Sequence, residues 1–218
     1  MTRMSHVISM KTVTLSRTLD YLRGGEPTAH QQQILDTMRE EARAVQRRVD
    51  YQRIDWGLTV PEALEHLIMG RADAEGERVG YAYYAALLAV LECIGSDPVD
   101  VGVYSKPSTF FGRMDEELRA LGVPADLLPC SFLFADFTDL LPFSIPSPMD
   151  GYPAIGYLPL SKAKSVADAY TAVLDRLDHD FTYDAKLLID KLNVEHEEWQ
   201  TALKYGHTMD ILVFCIQG

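Results

Sequence analysis

The stretch RVGYAYYAALLAVLECIG, residues 78–95, carries apolar side chains around nearly its whole circumference and ends at Gly95. A helix of that kind has to be enclosed by other elements, because it has no polar face to turn to water. No apolar run in the chain approaches the roughly 18 residues that a membrane span needs. The stretch therefore reads as the central helix of a water-excluding core, and the rest of the chain must supply one-sided elements to close around it.

Those elements are readable from period and punctuation. HVISMKTVTL (6–15) alternates and is rich in β-branched residues, which predicts a strand. It runs into LSRTLDYLRGG, where Leu15, Leu19 and Leu22 keep helical spacing and Gly24–Gly25 stop it. Residues 28–54 read as one long amphipathic helix on Ile34, Leu35, Met38, Ala42, Val45 and Val49. Thr59 and Glu62 match a capping box ahead of a helix that ends at Gly70. A short strand follows over 97–105, and a helix over 108–122 with Ser108 as its cap and Gly122 as its stop. From Val123 to Pro159 periodicity fades into an irregular segment rich in Phe and Pro, too apolar for disorder. Ser161 caps the next expected helix. A second helical region covers 183–205 with a break near Asn193, and TMDILVFCI (208–216) is the clearest strand. The expected fold class is α+β: one domain over residues 1–218, with a small mixed sheet that includes both terminal strands and about seven helices on it.

Charge narrows the partners. The 218 residues carry a net charge of −12, which repels phosphate backbones and anionic membrane surfaces. Nucleic acid and membrane are not the expected partners; a basic protein is. The exception is RAVQRRVDYQR (43–53), the one basic patch, which reads either as a solvated face or as an anion or partner contact. Cys93, Cys130 and Cys215 form neither a disulfide framework nor a zinc pattern, so a reducing compartment, the cytoplasm, is expected. The opening MTRMSHVISMKTV lacks the apolar core of a signal peptide, and Met4 would serve as an alternative start.

Four stretches carry candidate chemistry. In SPMDGYPAIGYLPLSKA (147–163), Pro153 fixes φ and Gly156 permits close approach, while Asp150, Tyr152 and Tyr157 offer polar tips to a ligand. The competing reading packs Tyr152, Ile155 and Leu158 inward around an Asp150–Gly151 turn. In DRLDHDFTYD (175–184), Asp175, Asp178 and His179 would share one helix face at i, i+3 and i+4, a set able to hold a divalent metal or to work as an acid–base pair. A solvated helix end is the alternative. HEEWQ (196–200) lacks the second histidine of HExxH, which rules out that zinc chemistry. Cys130 follows Pro129 with no histidine nearby to stabilise a thiolate, so it reads as structural first and as a nucleophile second. His66 reads as a hydrogen-bonded histidine at the core edge. No cofactor motif is present: neither a glycine-rich phosphate loop nor G-x-S-x-G occurs.

The first strand and helix, the apolar middle, DGYPAIGYL (150–158), and a last helix with Trp199 and Ala202 running into DILVF together resemble the uncharacterised bacterial YfbM-like domains. That resemblance implies a single α+β domain. It carries no established activity and no catalytic residues. Two functions are therefore expected from the residues themselves. The first is a non-enzymatic accessory, immunity-like or regulatory module that binds a protein. The second is an enzyme or small-molecule binder with a pocket between the 130–160 segment and the helix ending near His179.

Overall fold

The computed structural model describes residues 5–218, so the alternative start at Met4 lies outside the described residues. In chain order the elements are β1 (His6–Val13), α1 (Leu15–Tyr21), α2 (Ala29–Tyr51), α3 (Val60–Ile68), α4 (Val79–Ile94), β2 (Val99–Tyr104), α5 (Pro107–Ala120), α6 (Cys130–Leu133), β3 (Ala154–Pro159), α7 (Leu160–Thr171), α8 (His179–Lys204) and β4 (Ile211–Gln217). The fold is α+β. No helix among the described residues is long and apolar enough to cross a membrane.

The chain forms two compact units. The helical unit comprises Leu15–Asp97 and Phe137–Ala154. Its centre is α4, in which only Tyr81, Leu88, Glu92 and Cys93 are not buried. α1, α2 and α3 pack on it. α3 is defined at its start by the reciprocal bonds expected of Thr59 and Glu62. α2 has a second such box, in which Thr28 accepts from the Gln31 N–H and Gln31 reaches back to the Thr28 N–H.

The sheet unit comprises the residues up to Thr14, Pro98–Asp136 and Ile155–Gly218. Its strand order is β2-β1-β4-β3, so the two chain ends form the centre of the sheet. The β1 register places Ile8, Met10 and Thr12 opposite Ile216, Phe214 and Leu212, all on one face. α6 and α8 meet that face. The Phe132 and Phe214 rings lie 5.3 Å apart, and the Thr12 hydroxyl donates to Glu195 Oε2 at 2.7 Å.

Five sequence expectations need correction. The sheet is antiparallel, not mixed: β1 runs opposite to β2 and β4, and the end of β3 meets the start of β4 through the Leu160 N–H and the Asp210 carbonyl at 2.9 Å. Two helices between β3 and β4 bring the chain back reversed, where a single crossover helix would have made the pair parallel. Residues 154–159 form a strand inside the segment expected to be irregular. α5 begins at Pro107, whose fixed φ suits the first helical position, and Ser108 makes no cap. α7 begins at Leu160 after Pro159, with Ser161 already inside its first turn. α8 starts at His179 and runs through Asn193 unbroken. One residue of poor helix propensity costs only ~0.7 kcal/mol. Burial of Leu188, Ile189 and Leu192 on the same helix outweighs it.

Candidate functional site

Within the helical unit, the 146–152 loop is a built turn. The Gly151 N–H donates to the Pro148 carbonyl at 3.0 Å, and the Tyr152 N–H donates to Asp150 Oδ1 at 3.1 Å. This is the Asp150–Gly151 turn that the sequence offered as its structural alternative. The loop rests on the first turn of α4. A Cβ at Gly80 would lie 2.4 Å from the Ser147 carbonyl oxygen, so only glycine lets the two backbones approach this closely.

The next residue, Tyr81, faces Asp150. Burial first, and then the Asp150 carboxylate beside it, hold the Tyr81 hydroxyl above the ordinary tyrosine range. On its other side the Tyr81 ring stacks on Trp56, with centroids 5.9 Å apart and planes 18° from parallel. Met149 is 63% exposed and Asp150 is exposed. The result is a half-buried tryptophan stacked on a half-buried tyrosine that faces an exposed carboxylate, with an open methionine next to that carboxylate in the chain. From the sequence Trp56, like Trp199, reads as either an interface anchor or a core residue; Tyr81 gives no such signal, because it lies far from Asp150 along the chain and shares no motif with it.

The remaining candidates sort by unit. Asp150 and Tyr152 belong to the helical unit; Tyr157, Asp178 and His179 belong to the sheet unit. Tyr157 is half-buried on β3, between Ile155 and Leu158, which are both 2% exposed and pack inward as expected. Asp178 is the N-cap of α8 and accepts from the Asp180 N–H at 2.9 Å. That bond is the main reason its carboxyl sits below the usual aspartate range. Asp175 lies in the turn before α8, so the expected i, i+3, i+4 face does not form. Asp180 takes its place: Asp178, His179 and Asp180 hold their ligand atoms within 4.8 Å of one another, all exposed. Both ring nitrogens of His179 already face carboxylates, Nδ1 at 2.9 Å from Asp178 and Nε2 at 3.3 Å from Asp180.

Cys130 is held as a thiol. Burial, followed by the neighbouring Asp115 carboxylate, pushes it up to about 12, the reverse of what a nucleophile needs. Asp115 accepts the Cys130 N–H at 3.1 Å and so satisfies the start of α6. His66 behaves as expected. His66 Nδ1 and the Tyr83 hydroxyl share a hydrogen bond at 2.8 Å, and the Ala74 N–H donates to the same hydroxyl oxygen at 3.0 Å.

No curated protein and no solved structure matches the chain. One family model spans it almost completely, over residues 4–216. The chain belongs to that family, described as a domain of unknown function (DUF7691).

Proposed function

We propose that the protein is a non-enzymatic docking module that binds a basic protein partner through the Trp56–Tyr81–Met149–Asp150 surface. One observation carries the reading: a stacked aromatic pair stands beside an exposed carboxylate, whose neighbour in the chain, Met149, is exposed as well. Trp, Tyr and Met are the side chains enriched at interface cores, where two rigid rings lose little entropy on binding. The net charge of −12 favours a cationic partner by steering. The likeness to bacterial YfbM-like domains, supported by residues 151–158 and the terminal strands, belongs to the same reading. So does a cytoplasmic setting, supported by three cysteines that form no disulfide.

The test uses Trp56 as its own reporter. In a Trp199→Phe variant, Trp56 is the remaining tryptophan. Titration with a short peptide of alternating lysine and leucine is expected to change its emission saturably, and less so as salt rises. Asp150→Lys and Met149→Ala are expected to weaken binding about tenfold, equivalent to about 1.4 kcal/mol. Binding that ignores both salt and Asp150→Lys would remove the basis of the proposal.

A further inference from the structure

We propose that the outer face of α2, from Arg43 to Arg53, is a second docking surface, and that it takes an acidic polypeptide segment. The proposal rests on which arginines of the helical unit are already engaged. Arg39 bridges Glu65 and Asp36, Arg23 meets Asp20, Arg71 meets Asp73 and Arg48 meets Glu41. Among the described residues of this unit, Arg17, Arg43, Arg47, Arg53 and Arg78 make no ion pair, and Arg43, Arg47 and Arg53 are the three that lie close together, on and just past α2. All three are exposed. The carboxylate between them, Asp50, is taken up by Gln46 Nε2 at 2.7 Å.

Geometry aligns these groups. Arg43, Arg47 and Tyr51 follow one another at i, i+4 and i+8, so they lie along one row of the helix. Tyr51 is 90% exposed, which is uncommon for a ring with nothing to cover it. The helix macrodipole accounts for cations in the last turn only; Arg43 lies about two turns before the end and falls outside its reach.

A row of free guanidinium groups ending in an open tyrosine matches a segment with carboxylates at one end and an apolar side chain at the other. Guanidinium groups bind carboxylate and phosphate alike, so charge chooses between the two. A polyphosphate chain extends far beyond this patch onto a protein of net charge −12, and is repelled there. A short acidic polypeptide stays within about a Debye length, ~8 Å, of the patch and feels mainly its local positive field.

The experiment measures anisotropy of a labelled peptide of alternating glutamate and leucine against the full chain. Saturable binding at low salt is expected, at least about tenfold weaker for Arg43→Glu/Arg47→Glu and intermediate for Tyr51→Ala. These side chains are exposed, so circular dichroism of the variants should match the parent. The lysine–leucine titration of Trp56 should be retained, and no weaker, in the double variant, whose added negative charge favours that cationic peptide, which separates failure here from failure of the first surface. Equal affinity of parent and double variant would overturn the proposal. So would tighter binding of a single-stranded oligonucleotide of equal charge, which would make the patch a nucleic-acid site. So would self-association of the parent that the double variant abolishes on sedimentation, which would make the occupant a second copy of this chain.

Discussion

A methyl group on Gly156 would sit 2.2 Å from the Leu133 carbonyl oxygen and 2.3 Å from that of Phe132. Backbone on both sides cannot yield cheaply, so Gly156→Ala is expected to cost about 3 kcal/mol, seen as a lower urea midpoint with an unchanged slope. The sequence marked this glycine as permitting close approach, but the partner backbone was not legible. Glu195 is a second case. It is buried, and desolvation raises its carboxyl above 4.5 despite the Thr12 hydrogen bond. A raised folded-state pKa favours folding below 4.5, and that contribution is lost as pH rises through the raised value. Glu195→Gln should therefore be more stable than the parent at neutral pH, with the gain vanishing in acid below 4.5. Urea titrations at two pH values measure it; a gain that grows in acid would contradict the assignment. Cys130, held as a thiol, should resist iodoacetamide at neutral pH until the chain is unfolded, as read by peptide mass mapping.

Elements with local signals were legible. The Thr59 hydroxyl and the Glu62 carboxylate close their box within four residues, so no tertiary information is needed to see it. Thr59→Ala should cost about 1 kcal/mol. β3 was hidden for the opposite reason. Its sequence mixes Pro and Gly with short apolar steps, and it is a strand because it lies beside β4. The same logic joins two helix starts that were misread: a proline, not the nearby serine, sets where α5 and α7 begin. At the start of α4, Gly80→Ala is expected to push the Pro146–Ser147 backbone away, lowering stability and weakening lysine–leucine peptide binding together. Loss of stability with peptide affinity intact would detach the loop from the docking surface.

At the scale of the whole chain, each unit is assembled from separated segments, three for the sheet unit and two for the helical unit. Composition acts here as well. A net charge of −12 repels itself in the compact state, and screening relieves that repulsion. The melting temperature should rise between low and physiological salt; a fall would mean that the exposed ion pairs outweigh the self-repulsion. Read alone, the sequence determined the α+β class, the buried α4, the capping box of α3 and the terminal strands, because periodicity and caps act over a few neighbouring residues. Tertiary structure decided the rest: the Thr12–Glu195 bond spans 183 residues, and Trp56, Tyr81 and Asp150 meet only where the chain folds back on α4. Contacts between residues so far apart leave no local pattern, since each side chain is chosen by a neighbour that the linear sequence does not place beside it.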